Sequence, residues 1–227
     1  GGLSEDQIQS TRELFDIEDT NNVYETSVDA NDLYNYLGIA GGDTSSLISS
    51  VMVQKQDSGT GVKVKIITQS NITKITSNQY ANAAITAGVS DVEIDVASVS
   101  KVTGESALTG VYKALEANGE TLDPDRTQVA QEELETTNEI AQNNADDSNF
   151  DSARLDQALV EIKQELAQIK QNQGSAATTE QVEQVVQDAL KKFNLSDIIS
   201  QDDIDKMIAF AKKFQNTSAI DSQEVLN

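Results

Sequence analysis

The sequence predicts an α+β fold: a small mixed sheet of about four strands with helices in the N-terminal half, followed by an all-helical C-terminal region. Three observations predict it. Residues 71–119 read as helix, strand, helix with turn chemistry at each junction. Strand-like alternation is confined to the first half of the chain. Beyond Gly119 every apolar pattern has the helical period. The expected division is an α+β domain over 3–118 and a helical region over 119–227.

The elements follow in chain order. Ser4-Glu-Asp-Gln7 is a capping-box pattern, and Ile8, Leu14 and Phe15 give a helix over 4–15 its apolar side. Val23 to Val28 is a short strand candidate. Asp29 caps a helix that Gly38 stops after Leu37. Gly41-Gly42-Asp43 is a loop signal. Leu47 to Gln56 and Gly61 to Thr68 read as strands joined in a hairpin by Asp57-Ser-Gly-Thr60. In the second of them Val62, Val64 and Ile66 alternate with Lys63 and Lys65, so one face is wet. A helix over 77–87 ends on Gly88. Asp91-Val-Glu-Ile-Asp-Val-Ala-Ser98 alternates as a strand over 90–98, expected to be central and buried. A helix over 104–118 closes on Gly119.

Asp123-Pro124 places an N-cap before an N1 proline, so a helix spans about 124–142. Leu155, Leu159, Ile162, Leu166 and Ile169 follow 4-3-4-3 spacing in a helix over 152–171. The seam is short for a free coiled coil, and packing within the chain is expected, with a monomer as the result. Thr178 and Gln181 form a capping box for a helix over 179–193 that carries Val182, Val185, Val186 and Leu190. Ser200 caps a helix over 201–214 with Ile204, Met207, Ile208 and Phe214.

Composition excludes several function classes. The 227 residues carry 38 acids against 16 Lys and Arg, a net charge of −22. Such a field repels nucleic acid and anionic membranes, so no nucleic-acid partner is expected. No apolar run is long enough to cross a bilayer. Cys and His are both absent. That removes disulfides, thiol nucleophiles, imidazole bases and thiolate or imidazole zinc sites. The Gly1-Gly2 start reads as a cloning remnant.

The remaining motifs each have a plain structural reading. Ser98-Val-Ser-Lys101 matches S-x-x-K, but that motif needs its Ser at a helix start, and here Ser98 closes a strand. Lys101, Thr103, Gly104 and Ser106 join a strand to a helix and form a candidate anion or ligand site. Free N–H groups at a helix N-terminus favour anions, yet no phosphate-loop pattern is complete, Glu105 intrudes, and Thr103 reads equally as a cap. Gly110 reads as a close-packing position. Asp16, Glu18, Asp19, Asn21 and Asn22 are oxygen-rich without calcium-loop spacing, so no metal or cofactor is expected. Tyr24, Tyr34, Tyr36, Tyr80 and Tyr112 read as partly buried anchors.

Asn71-Ile-Thr73, the Tyr80–Gly88 helix, the Asp91–Ser98 strand and Gly104-Glu-Ser-Ala-Leu-Thr-Gly110 together resemble the YpuA-like proteins of Firmicutes, secreted proteins built on a domain of unknown function. The Gly59-Thr-Gly61 turn fits as well, and the likeness is clearest over 59–118. It implies an extracellular or cell-envelope location after loss of a signal peptide, and it carries over no activity and no site residues. The expected function is a non-enzymatic binding or structural module whose partner is a protein or envelope component. The alternative is an extracellular hydrolase using Asp/Glu carboxylates or a Ser–Lys pair. A pocket where two or more of these groups converge with perturbed pKa values would mark the hydrolase; an exposed apolar patch or groove would mark the binding module.

Overall fold

Strand order in the sheet is set by the most buried strand. The computed structural model describes residues 1–41 and 43–226, so Gly42 of the expected loop lies outside the described residues. Its helices and strands are α1 (Glu5–Leu14), α2 (Ala30–Leu37), β1 (Ser49–Lys55), β2 (Val62–Ile66), α3 (Ser77–Ala87), β3 (Val92–Ser98), α4 (Ala107–Ala117), α5 (Pro124–Asn143), α6 (Ser152–Gln173), α7 (Thr179–Lys192), α8 (Gln201–Phe214) and α9 (Gln223–Leu226). The sheet runs β1-β3-β2, with β3 antiparallel to β1 and parallel to β2. Val92, Ile94 and Val96 of β3 are fully shielded beneath α3 and α4, as a central strand requires.

Two expectations for the sheet are corrected. It has three strands among the described residues, and the Val23–Val28 segment joins no ladder. The strands β1 and β2 are not hairpin partners, because β3 lies between them. The reason is visible at Asp91. Its Oδ1 accepts from the N–H groups of Gly59 and Gly61, each at 3.0 Å, so the turn expected to close a hairpin wraps over the start of β3 instead. The parallel β2–β3 pair needs a crossover, and α3 supplies it. A hairpin would have left one edge of β3, the most buried strand, unpaired.

The helices begin and end where the local chemistry directs. Ser4, Asp29, Thr76 and Thr178 each form a capping box, and Gly38, Gly88 and Gly174 end their helices in the left-handed conformation. The exception is α4, which starts at Ala107 rather than near Thr103. Gly104 occupies φ +96°, incompatible with a helical turn, and Tyr80 Oη donates to its carbonyl at 2.5 Å. Ser106 takes the N-cap position without a side-chain cap bond.

Two apolar clusters fill the interior. One lies between the sheet and α3, α4 and α5; the other packs α6 against α7, α8 and the C-terminal turns. The heptad residues Leu155, Leu159, Ile162 and Leu166 are all buried in the second, within the single chain. Helix α5 serves both clusters, giving Ala130 and Leu134 to the first and Val129 and Ile140 to the second. Of the five tyrosines, Tyr36, Tyr80 and Tyr112 are buried anchors. Tyr24 and Tyr34 correct that expectation: they are 68% and 60% exposed, Tyr34 because it lies on the face of α2 opposite Leu33 and Tyr36, which are the residues that α2 buries.

Candidate functional site

The sequence-derived site residues are distributed among separate tasks. Lys101 is exposed. Thr103 Oγ1 donates to Glu105 Oε2 at 3.3 Å. Gly104 is taken up by Tyr80, and a Cβ there would lie 2.7 Å from Ile72 Cγ2. Ser106 Oγ lies 3.2 Å from Ser49 Oγ, which ties the α4 start to β1. Ser98 is buried, with Oγ 3.4 Å from the Ile48 carbonyl, whereas Lys101 faces solvent.

Ser106 nevertheless opens onto a broad groove of about 810 Å³. This groove wraps the outer edge of β1. Its walls are α1 (Ile8, Thr11) with its C-cap Phe15, α4 (Ala107, Gly110, Ala114) and the Val23–Val28 segment. Gly110 packs close to β1, since a Cβ there would meet Val51 Cγ2 at 2.9 Å. Three of the four charged side chains lining the groove are paired, Arg12 with Glu25 at 2.7 Å and Lys113 with Asp32 at 2.5 Å, while Glu5 has no ion-pair partner among the described residues. The Arg12 hydrogen bond holds the Glu25 carboxyl below its ordinary range.

The backbone of β1 presents half of its hydrogen-bonding groups to this groove. Gln56 N–H donates to the Asp91 carbonyl at 2.8 Å, one step beyond the Lys55–Val92 pair. Alternation in an antiparallel ladder then turns Ser50, Met52 and Gln54 toward β3, and Ser49, Val51 and Val53 outward. Among the described residues no other segment's backbone bonds to those three. At the strand's start, Leu47 does receive such a bond, from Gly2 N–H at 3.3 Å.

A second polar feature lies between α3, α5 and α6. Lys163 Nζ reaches Glu133 Oε1 at 2.7 Å with both side chains almost wholly shielded. The same ammonium donates to Thr86 Oγ1 at 3.1 Å and the Asn82 carbonyl at 3.4 Å, and Thr86 donates to Glu133 Oε2. One turn and more away on α6 sits Asp156, 5% exposed, whose Oδ1 has no partner. Burial, with Glu133 and Asp151 adding to it against Lys163, pushes the Asp156 carboxyl up to about 7. Asp156 lines a cleft of about 400 Å³ with Asn78, Asn82, Gln157, Val160 and Phe193. Asp156 and Lys163 are seven residues apart, each just after a seam leucine or isoleucine. That repeat of polar residues beside an apolar seam was the available signal, and the apolar spacing alone did not expose it.

Among the described residues no cluster of three or more acids is placed to hold a metal ion, and no helix is long and apolar enough to cross a membrane.

Comparison with known proteins places the chain in a family. No solved structure matches the chain. The uncharacterized protein YpuA of Bacillus subtilis (strain 168) is 32% identical over 169 residues, covering 74% of this chain and 52% of that protein. The chain thus spans about half the length of this curated relative. The likeness to YpuA-like proteins read from residues 59–118 therefore holds. A family model described as "Protein of unknown function (DUF1002)" matches residues 1–227, and the chain belongs to that family.

Proposed function

We propose that this protein is a non-enzymatic, secreted or cell-envelope binding module that holds an extended segment of a partner protein against the open edge of β1. The observation that carries the reading is the outward-facing backbone of Ser49, Val51 and Val53 inside the groove. An unpaired strand edge is a template for another strand, and an added strand gains main-chain hydrogen bonds along its length. The seven residues of β1 offer a run of roughly 20–24 Å at the usual rise per residue. Tyr24 on the opposite wall supplies an exposed aromatic for side-chain contact. The extracellular or envelope location rests on the family resemblance. A monomeric state accords with the covered α6 stripe.

The hydrolase reading has less support. Hydrolysis by two carboxylates needs two acids converging on one cavity. Glu133, the buried acid that raises the Asp156 carboxyl, is committed to Lys163 and Thr86, and of the two acids lining the groove Glu25 is paired with Arg12, which leaves Glu5 without a second free carboxylate beside it.

The test is selection of heptapeptides from a display library on the immobilised chain. Selected peptides should shift the amide resonances of Ser49 to Lys55. Val53→Pro should abolish binding, because it removes an outward N–H while sparing the bonds to β3. Binders that map elsewhere and tolerate Val53→Pro would overturn the reading.

A further inference from the structure

A carboxylate sequestered from water normally has a hydrogen-bonding or charged partner, since leaving it unsatisfied carries a large desolvation cost. Asp156 has neither. It is 5% exposed, Oδ1 is fully shielded, and no side chain or backbone group donates to it among the described residues. Lys163, the cation that favours the ionised form of Asp156, is consumed by Glu133, Thr86 and the Asn82 carbonyl. The unanswered carboxylate lies in the wall of a cleft rather than in sealed core.

The other walls of that cleft select the kind of partner. Asn78, Asn82 and Gln157 carry side-chain amide oxygens, which accept from N–H donors. Phe193 and Val160 give an apolar side suited to methylenes, and an aromatic face also attracts cations. Glu161, on the rim, is bonded to Lys192 Nζ at 2.5 Å, and that ammonium sits 5.7 Å from the Phe193 ring centre. The rim therefore already displays one ammonium held between a carboxylate and Phe193, while Asp156 deeper in the cleft has none. A bare divalent ion is a poorer match, because it asks for more anionic oxygens than one free carboxylate provides.

We propose that the cleft between α3, α6 and the end of α7 binds a primary ammonium carried on an aliphatic chain, with Asp156 as its counter-ion. The side-chain amide oxygens of Asn78, Asn82 and Gln157 are the acceptors available to its other two N–H groups, and Val160 and Phe193 flank its methylenes. The ammonium arrives either on a free alkylamine or on a lysine side chain of a polypeptide. Binding favours the ionised carboxylate, so it strengthens as pH rises through neutrality and releases protons when measured near pH 7. The groups facing Asp156 that shape this dependence are Glu133 on α5 and Asp151 and Lys163 on either side of it in sequence.

The experiment is an amide NMR titration of the full chain with pentylamine and, separately, with Nα-acetyl-lysine-N-methylamide, using pentanol as the uncharged control. The proposal expects saturable shifts at Asn78, Asn82, Asp156 and Phe193 with at least one amine and none with pentanol. Pentylamine alone identifies a small-molecule site; the lysine derivative binding as well identifies a site open to peptide lysines. Asp156→Asn, confirmed folded by its spectrum, should weaken binding at least tenfold, and Phe193→Leu by a smaller factor. No saturable shift with either amine at millimolar concentration overturns the proposal. So does binding that Asp156→Asn leaves intact, or binding equally strong at pH 6 and pH 8.

Discussion

Replacing Asp156 with Asn should stabilise the protein, and increasingly so as pH rises. Asparagine has the shape of the protonated carboxyl and cannot ionise. In the folded chain the Asp156 carboxyl is pushed from the ordinary 3.8 to about 7, first by burial and then by Glu133. A carboxyl raised in the native state binds its proton more tightly there than in the unfolded chain. Its contribution to stability is therefore fully present below the unfolded value and is lost as pH climbs through the window from about 4 to about 7. The full loss is roughly 4 kcal/mol at 1.36 kcal/mol per pH unit, an upper bound because the cleft admits water to one side of the residue. Between pH 5 and pH 8 the advantage of the variant should grow by roughly 2–3 kcal/mol. Urea unfolding of both proteins at several pH values reads this difference directly. A difference that stays flat, or that grows toward acid, would refute the argument from burial.

Further perturbations test the packing account. Lys163→Met leaves Glu133 buried without its cation and should cost about 3–5 kcal/mol in the same assay, whereas replacing Glu133 and Lys163 together by apolar residues should recover much of that loss. Ile94→Ala removes a fully shielded side chain from the central strand and should cost about 2–5 kcal/mol; a loss below about 0.5 kcal/mol would make β3 peripheral. Gly104→Ala forces a Cβ against Ile72 and the Tyr80 hydroxyl at a positive φ, for an expected loss of about 2–4 kcal/mol by thermal unfolding.

The helices were legible in the sequence because their signals are local. Ser4, Asp29, Thr76 and Thr178 cap their own helices through residues three positions on, and Gly38, Gly88 and Gly174 stop theirs through their own backbone conformation. The sheet was only half legible. Alternation marked β1, β2 and β3, but strand order depends on which chain segments meet. The Asp57–Thr60 turn read as a hairpin until Asp91, some thirty residues later, captured the N–H groups of Gly59 and Gly61. The Val23–Val28 segment has strand-like residues, yet it joins no ladder and lines the groove together with β1. The start of α4 was misplaced because the sequence shows Gly104 without showing the Tyr80 hydroxyl that fixes it. Candidate sites were the least legible part. Lys163 with Glu133, and Asp156 with Asn82, are brought together only when α3, α5 and α6 pack. The only one-dimensional hint is that Asp156 and Lys163 each follow a seam residue seven positions apart, and nothing comparable separates Glu133 from the many acids that face water.

The central claim, that the outer edge of β1 is open and takes a strand, is tested most directly by residue-resolved amide hydrogen exchange. In the free chain Met52 and Gln54, bonded to β3, should exchange slowly, while Ser49, Val51 and Val53, facing the groove, exchange quickly. Addition of a selected heptapeptide should slow Ser49, Val51 and Val53 and leave Met52 and Gln54 unchanged. Equal protection of all five amides in the free chain, or protection by the peptide that falls outside β1, would contradict the account.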